Sequence, residues 1–369
     1  MHNHSVFVAA ALPPPVHGQS VVNKAVCDEL SCREKTGVTV CDISPGQSKR
    51  GVNYHLRRVF SVLKAARLLV LGGVKRSQCA YFVLESGYGV VYNIFLITLA
   101  RLVGRRVFLH HHTAFHSLAY SRVFAWVAKL CGYDAVHFAL CEGMKSDLLR
   151  HYPHLNEVRV VNNAVFVSEF QVTEKRRSDN TFILGHISNL CAEKGTLTVF
   201  KTFEACFEAK LVSKIIVAGP VTDIETEIAL RALQLKYGDA VQYLGPVYGD
   251  AKQQFYADID VALFPSQYRF EAQPLVVLEA LQSGVPILST SQGYIADLLS
   301  DVGLVMPSDP DMYKAAVIGS LTHWSSEGGT FDAVCNQSRL HYQHLRGVSS
   351  AQFAGMIQLL LGGNSALAQ

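Results

Sequence analysis

The sequence predicts an α/β protein with two similarly sized domains, each a parallel sheet covered by helices on both faces. Three observations predict this class. The chain has 369 residues, more than a single hydrophobic core usually organises. Short apolar runs alternate with longer stretches of helical spacing, which is typical of successive β-α-β units. The alternation pauses once, in the polar stretch 168–180, and then resumes.

The first domain is predicted over 1–167. A strand is expected where a short apolar run is rich in β-branched or aromatic residues, and a helix where apolar residues recur every three or four positions. In chain order these rules give strand 5–11, helix 18–30, strand 37–43, helix 54–70 and strands 80–85, 106–112 and 134–140.

A linker is predicted at 168–180, which is polar and charged without an apolar period. The second domain is predicted over 181–345. The same rules give strands 181–188, 214–220, 240–247, 261–266, 285–290 and 303–307, and helices 195–211, 223–238 and 274–284. Because open parallel sheets bind ligands at the carboxyl ends of their strands, functional residues are expected in the loops that follow the strands.

Composition restricts the class of function. Hydrophobic residues make up 49% and charged residues 17%, as in a well-buried globular chain. The net charge of +3 gives no basis for nucleic-acid binding, which requires a basic stripe. Segment 1–15 is too short in apolar length for a signal peptide, and no uncharged apolar stretch reaches the ~18 residues of a spanning helix. A cytoplasmic protein that does not span a membrane is expected.

The cysteines predict a reducing environment. There are nine, an odd number, and none forms a C-x-x-C pair. Several lie within apolar runs, for example Cys141 in "HFALCEG". We interpret them as small buried side chains rather than as disulfides or a structural zinc site.

The clearest chemical pattern is a pair of glutamates eight positions apart. Glu271 precedes a predicted helix, Pro274 suits its first turn, and Glu279 falls in its second turn. The helix N-terminus between the carboxylates offers unpaired N–H groups and a partial positive charge, which suits a phosphate. Because carboxylates repel phosphate and accept hydrogen bonds from hydroxyls, each glutamate is expected to bind a polyol. A phosphate with a polyol at each end describes a nucleotide sugar.

This pair and its surroundings resemble the E-x7-E signature of retaining glycosyltransferase family 4, which has the GT-B fold. Further segments resemble the family in the right order: "PPPVHGQS" (13–20), "VFLHHHT" (107–113), "VVNNAV" (160–165), "ISNLCAEKG" (187–195), "IIVAGP" (215–220), "VQYLGPV" (241–247) and "GLVMPSDPD" (303–311). The resemblance implies two Rossmann-like domains facing across a cleft. It also implies that the last helix, within 346–369, packs back onto the first domain.

The resemblance implies roles for individual residues. Glu271 would contact the donor sugar, Glu279 the ribose hydroxyls and Lys194 the leaving diphosphate. A fixed cation beside the developing negative charge replaces the metal of other glycosyltransferases, so no metal or other cofactor is expected. His112 would lie near the sugar and the acceptor. The loop with Gly18 and Gln19, and the strand-end glycines Gly219 and Gly245, would approach the donor.

Two departures from the family pattern concern the donor. Asn189 stands where the family has an arginine, and Arg269 is expected to supply the missing charge. The usual E-G-F-G-L reads Glu271-Ala272-Gln273-Pro274-Leu275, so that glycine is lost where the backbone approaches the phosphates. The Gln273 side chain, an additional donor, is expected to compensate, with Pro274 and Leu275 completing this donor-binding segment.

Several patterns also have a structural interpretation. The run His110–His112 outside the family frame is better explained by strand-end packing than by metal binding, and within the frame only His112 is assigned to the site. The D-x-D at Asp258–Asp260 is rejected as a metal site, and Asp309 is expected to cap a helix. Gly18, Gly219 and Gly245 also suit tight turns, which is compatible with a role in binding.

The segment 55–78 is basic and amphipathic. Such a helix either lies on an anionic membrane or packs on the sheet with solvated basic ends, and the second interpretation is favoured.

The residues and the resemblance together predict a metal-independent retaining hexosyltransferase. Its expected partners are a nucleotide diphosphate sugar, with UDP favoured over GDP, and a saccharide or lipid-linked acceptor in bacterial surface polysaccharide or glycolipid synthesis. Two alternatives remain: an epimerase or hydrolase of the same fold, and an inactive binding module. A nicotinamide-dependent enzyme is disfavoured because 6–18 lacks G-x-G-x-x-G.

Overall fold

The computed structural model describes residues 4–33, 36–44, 46, 51–71, 78–169, 181–326 and 329–362. The chain forms two compact units. Unit 1 comprises Met1–Phe166 and Val348–Gln369, and unit 2 comprises Val167–Gly347. Of the predicted linker 168–180, residues 170–180 lie outside the described part of the chain.

Unit 1 is built on a six-stranded parallel sheet in the order β2-β1-β3-β4-β5-β6. Its strands are β1 (His4–Ala10), β2 (Thr36–Asp42), β3 (Gln78–Leu84), β4 (Arg106–His111), β5 (Val136–Ala139) and β6 (Val158–Val160). Its connecting helices are α1 (Gly18–Ser31), α2 (Val52–Leu71), α3 (Val90–Leu102), α4 (Arg122–Cys131) and α5 (Glu142–His151). The strand order reverses at β1, so right-handed crossovers place α1 on one face and α2 to α5 on the other.

Unit 2 repeats the architecture, with a parallel sheet in the order β12-β11-β10-β7-β8-β9. Its strands are β7 (Phe182–Ile187), β8 (Val212–Ala218), β9 (Val241–Tyr243), β10 (Val261–Phe264), β11 (Ile287–Thr290) and β12 (Val305–Met306). Its helices are α6 (Thr196–Glu208), α7 (Ile224–Tyr237), α8 (Asp250–Asp258), α9 (Leu275–Gln282), α10 (Ile295–Leu299), α11 (Pro310–Ser326) and the start of α12 (Thr330–Leu360).

The last helix belongs to both units. From Val348 onward, α12 belongs to unit 1. There the Gln352 side chain accepts a hydrogen bond from the Asn162 N–H at 3.0 Å. The Phe353 ring meets the Phe166 ring edge-on with centroids 5.0 Å apart. A polar and an aromatic contact therefore fix the end of α12 within unit 1.

The core of each unit lies between its sheet and its helices. Every residue of β5 and of β10 is buried, as expected for strands covered on both faces. The predicted α/β class with two parallel sheets is confirmed. Helices such as α3 were not predicted, because its sequence is apolar around most of its circumference and has only a weak polar face.

Among the described residues, no helix has the length and apolar character needed to cross a membrane.

Candidate active site

Glu271 lies between β10 and α9, at the carboxyl edge of the unit 2 sheet. Glu271 is only 7% exposed, so its carboxylate needs hydrogen-bond or ion-pair partners within the protein. The Lys194 ammonium forms an ion pair with Oε1 of Glu271. The Ser266 hydroxyl donates to the same oxygen at 2.9 Å. The structure thus brings together two of the predicted site residues, Lys194 and Glu271, and adds Ser266, which was not predicted.

Lys194 reaches Glu271 from the turn that follows β7. It ends a short 3₁₀ turn, Ala192–Lys194, directly before α6. Its side chain is 24% exposed, and Nζ lies 4.9 Å from the centroid of the Tyr268 ring. An aromatic face and a carboxylate therefore hold the ammonium at the carboxyl edge of the sheet, where it retains access to solvent.

Glu279 is fixed by two side chains from α8. The residue is 6% exposed, its Oε1 accepts from Lys252 Nζ at 2.7 Å and its Oε2 accepts from the Tyr256 hydroxyl at 3.1 Å. The pKa of Tyr256 is held well above its usual value, mainly by burial and in second place by the neighbouring charge of Glu279. This hydroxyl therefore remains protonated and can donate. Lys252 and Tyr256 are one helical turn apart and were not predicted. A Lys-x-x-x-Tyr spacing on an otherwise polar helix is too common to single them out.

The N-terminus of α9 differs from the prediction in one respect. Pro274 was expected in the first turn, but it is the N-cap residue, with φ −62° and ψ 126°, and the helix begins at Leu275. The Pro274 side chain caps none of the first N–H groups of α9, since proline carries no side-chain acceptor. The Pro274 carbonyl accepts from the Val277 N–H at 3.1 Å. Gln273, directly before Pro274, is buried.

Gly293 holds the loop that carries Glu271. It has φ +57°, and a Cβ there would lie 1.8 Å from the Glu271 carbonyl oxygen. The same oxygen accepts a hydrogen bond from the Tyr294 N–H at 3.1 Å. Only glycine allows this close approach, which fixes the backbone of Glu271 as well as its side chain.

Four other residues of unit 2 were predicted to bind the donor, namely Asn189, Arg269, Gly219 and Gly245. Asn189 and Arg269 are exposed, and the Arg269 guanidinium lies 5.8 Å from the Phe270 ring centroid. Gly219 and Gly245 end neighbouring strand-loop units, and the Gly219 N–H donates to the Gly245 carbonyl at 2.7 Å. These two glycines form a tight pair of turns at the carboxyl edge.

In unit 1 the predicted site residues follow β1 and β4. Gly18 and Gln19 begin α1, whose N-cap is His17; His17 and Ser20 form a reciprocal capping box. His112 follows β4, and its ring centroid lies 4.0 Å from that of His110. Burial, and then His17, lower the pKa of His112 to about 3, so at pH 7 it is neutral.

His110 and His111 make buried contacts of their own. His110 Nδ1 lies 2.7 Å from the Tyr81 hydroxyl, and His111 Nε2 lies 3.2 Å from His137 Nδ1. Burial is the main cause that holds the pKa of both rings well below its usual value. The two rings therefore contribute as neutral packing groups.

The aspartates considered as metal ligands have structural partners. Asp258 accepts from the Gln254 amide at 2.7 Å, Asp260 accepts from the Ile183 N–H at 2.8 Å, and Asp309 accepts from the Met312 N–H at 3.0 Å. Within the described ranges, no group of three or more His, Cys, Asp or Glu residues has an arrangement that suits a metal ion.

Sequence comparisons relate part of the chain to glycosyltransferases. Residues 181–323 match the family "Glycosyl transferases group 1". The uncharacterized glycosyltransferase MJ1607 of Methanocaldococcus jannaschii is 27% identical over 183 residues, 46% of this chain and 46% of that protein. The alpha-monoglucosyldiacylglycerol synthase of Streptococcus pneumoniae is 25% identical over 167 residues, 42% of this chain and 37% of that protein. The matched stretch thus spans less than half the length of these relatives.

Solved structures extend the similarity to nearly the whole chain. Anabaena Alr3699/HepE, solved with UDP and glucose, has a TM-score of 0.64 at 14% identity, covering 97% of this chain and 98% of that one. Starch synthase IV from Arabidopsis thaliana, solved with ADP and acarbose, has a TM-score of 0.66 at 13% identity, covering 97% and 100%. Such identities establish the fold alone. The chain has the GT-B fold, and residues 181–323 of unit 2 are similar to the glycosyl transferases group 1 family.

Proposed function

We propose that this protein is a retaining, metal-independent hexosyltransferase of family 4. It would transfer a hexosyl group from a nucleotide diphosphate sugar to an acceptor hydroxyl. One observation carries the proposal. Lys194 pairs with the buried Glu271 directly before the N-terminus of α9, and Glu279 is held in the second turn of that helix.

The proposed roles follow from the charges of these groups. The diphosphate would bind at the N-terminus of α9, whose first N–H groups and partial positive charge favour an anion. Glu279 would accept hydrogen bonds from the ribose hydroxyls, and Glu271 from the hydroxyls of the sugar. Lys194 lies next to Glu271 and would stabilise the negative charge that develops on the leaving diphosphate.

The reaction exchanges one bond at the anomeric carbon. The bond to the diphosphate oxygen breaks and a bond to the acceptor oxygen forms on the same face, while the acceptor proton passes to the departing diphosphate. Lys194 would supply the charge that a divalent metal supplies elsewhere, and Arg269 would add a second cation from the surface. Neither role requires a metal ion.

The donor is proposed to be a UDP-sugar rather than a GDP-sugar. HepE was solved with UDP and glucose, and the pneumococcal O-GlcNAc transferase GtfA with UDP and GlcNAc. GtfA shares 15% identity and a TM-score of 0.63 with this chain, covering 80% of it. The starch synthase was solved with ADP, so the base is the part of the donor that a binding experiment must decide.

The acceptor is proposed to be a saccharide or lipid-linked hydroxyl compound in surface polysaccharide or glycolipid synthesis, used at the cytoplasmic face of a membrane. Support comes from the face formed by α2, α3 and α4, which pack side by side. These helices contain no aspartate or glutamate. Exposed cations on them are Arg57, Lys64, Arg67, Arg122 and Lys129. Exposed apolar side chains include Leu56, Phe60, Leu63, Leu71, Val91, Leu102 and Trp126.

An anionic bilayer matches this face because it binds cations and apolar side chains together. Of the segment 55–78, residues 72–77, with Lys75 and Arg76, lie outside the described part of the chain.

The membrane contact is tested by co-sedimentation with phosphatidylglycerol vesicles. We expect the wild type to sediment with the vesicles, and a smaller bound fraction for the double variant Phe60→Ser/Trp126→Ser. Leu235→Ser, at an exposed apolar residue of unit 2, is the matched control. Failure of the wild type to bind at low salt would refute the membrane contact.

The activity is tested with UDP-, GDP- and ADP-hexoses in the presence of chelator. Methyl hexosides and a bacterial lipid extract serve as acceptors, and NMR of the product gives the anomeric configuration. Retention with one donor class is expected. Loss of a preorganised charge typically lowers kcat about 10²- to 10³-fold, the decrease expected for Lys194→Met. Inversion, a requirement for metal, or conversion of the donor that never involves an acceptor would contradict the proposal.

A further inference from the structure

Glu85 lies at the carboxyl edge of the unit 1 sheet and is not one of the predicted site residues. It follows β3 directly, and β3 lies between β1 and β4. The loops after those two strands carry His17 and His112. Because the carboxyl ends of adjacent parallel strands meet at one edge, the loops with Glu85, His17 and His112 share the location where such sheets bind ligands.

The loop is built around the Glu85 side chain. The Glu85 N–H donates to Asn93 Oδ1 at 2.9 Å, and the Asn93 amide donates to the Val83 carbonyl at 2.9 Å. Asn93 is 2% exposed, so both hydrogen bonds are shielded from water. A Cβ on Gly89 would lie 2.9 Å from Glu85 Cβ and 3.1 Å from Oε2. Glycine at position 89 therefore leaves room for the carboxylate.

One oxygen of the carboxylate is engaged and the other is not. Arg58 Nη2 lies 3.0 Å from Glu85 Oε2, and the two side chains are only 12% and 18% exposed. Arg58 is itself held by the Tyr54 hydroxyl at 3.2 Å and by the Tyr92 ring, whose centroid is 5.1 Å away. Over the described residues, no donor reaches Glu85 Oε1. A fixed acceptor atom is thus left at the edge of the sheet.

The surroundings of this acceptor atom are electrically neutral. Arg58 balances the charge of Glu85. Burial lowers the pKa of His17, although Glu85 opposes the change, and burial also lowers the pKa of His112. Both rings are uncharged at pH 7. A phosphate requires a surplus of cations or N–H donors, whereas a neutral hydroxyl group needs a hydrogen-bond acceptor such as Oε1.

We propose that Glu85 is an acceptor-binding residue whose free carboxylate oxygen accepts a hydrogen bond from a hydroxyl of the acceptor. The acceptor group that binds unit 1 is then a neutral polyol, such as a sugar ring or a glycerol unit, and not a phosphate. This inference rests on the proposed function, since it names the substrate class of the same reaction.

The test compares Glu85→Gln and Glu85→Asp with the wild-type full chain. Glu85→Gln keeps the shape of the side chain but removes its charge. Glu85→Asp keeps the charge but shortens the side chain by one methylene group, which moves the carboxylate oxygens away from the ligand. Asp134→Asn is the matched control, because Asp134 pairs with Arg101 at 2.8 Å elsewhere in unit 1. The probes are methyl α-glucopyranoside, glycerol and glycerol 3-phosphate. Saturation-transfer NMR measures their binding without donor, and transfer from UDP-glucose gives the acceptor kcat/KM.

The proposal predicts that the wild type binds the two neutral probes better than glycerol 3-phosphate. Both Glu85 variants should lose at least about tenfold in acceptor kcat/KM, roughly the effect of one charge-assisted hydrogen bond. Their affinity for UDP, measured by calorimetry, should not change. Unchanged acceptor binding in both variants, or a preference for glycerol 3-phosphate, would overturn the proposal. Absence of UDP binding in the wild type would instead refute the proposed function and leave the NMR comparison valid.

Discussion

At the scale of single residues, the candidate site contains two ion pairs with similar environments. The side chains of Lys194 and Glu271 are 24% and 8% exposed, and those of Lys252 and Glu279 are 25% and 7% exposed. A hydroxyl group also donates a hydrogen bond to each carboxylate. Loss of either lysine would leave a buried carboxylate without its cation, which is unfavourable, so each lysine helps to orient its carboxylate.

Lys252→Met is expected to weaken UDP binding although Lys252 belongs to no recognised motif. Without the ammonium, Glu279 keeps only the Tyr256 hydroxyl and loses the partner that fixes its orientation. A hydrogen bond to a charged group contributes about 1.5–3 kcal/mol, so the Kd measured by calorimetry should rise about tenfold or more. Tyr256→Phe should have a smaller effect, about 1 kcal/mol. Lys201→Met, at an exposed lysine of α6, is the control, and an effect of equal size there would contradict this role.

At the scale of elements, the connection from β10 to α9 carries the site. Gly293 on the neighbouring loop presses against the Glu271 carbonyl, and Pro274 sets the start of α9. The position of Glu271 therefore depends on backbone packing between two loops as well as on its ion pair.

Gly293→Ala is expected to destabilise unit 2 by about 3 kcal/mol or more, because a Cβ would clash with the Glu271 carbonyl and because φ is positive. Gly303→Ala is the matched control. Gly303 has φ +66°, but a Cβ there meets nothing within 4 Å. The control should lose only about 1–2 kcal/mol from the left-handed backbone. Urea unfolding measures both, and equal losses would show that the clash is relieved by a shift of the loop.

Some elements were predictable and others were not, for physical reasons. Most strands were, because buried parallel strands are short apolar runs, as in β5 and β10. Strand β6 was not predicted, because it has only three residues, and the middle one is Arg159. Helix α3 was not, because its apolar residues cover most of its surface. Glu271 and Glu279 were singled out by their spacing around a helix start, and Lys194 by the resemblance of 187–195 to a family segment. Lys252 and Glu85 were missed because their importance depends on partners far away in the sequence, Glu279 and Arg58. Ser266 lies close to Glu271 in the sequence, but a serine at that spacing forms no distinctive pattern.

At the scale of the whole molecule, buried neutral histidines make stability depend on pH. Burial lowers the pKa of His112 to about 3, and that of His137 and His186 to about 4. In the unfolded chain each titrates near its ordinary value of about 6.5. The unfolded state therefore binds more protons below that pH. The histidine contribution is complete above pH 6.5 and is lost as the pH falls toward 4.

The free energy of unfolding is thus expected to decrease from pH 7.5 to pH 5 by about 1–2 kcal/mol for each such histidine. Urea unfolding at both pH values measures this. His186→Gln should reduce the pH dependence of unit 2, because it replaces a buried titrating ring by a neutral amide. His323→Gln on the exposed face of α11 is the control. A pH dependence that is the same in all three proteins would contradict the assignment to buried rings.

The central claim is that Glu279 and the N-terminus of α9 bind the nucleoside diphosphate of a sugar donor without metal. It is tested most directly by calorimetric titration of UDP, GDP and ADP into the full chain in the presence of EDTA. Glu279→Ala is the test variant, and Glu208→Ala, at an exposed glutamate of unit 2, is the control. We expect binding of one nucleotide, UDP, that survives EDTA, is retained by Glu208→Ala and is lost in Glu279→Ala. Absence of binding, a requirement for divalent metal, or unchanged binding in Glu279→Ala would contradict it.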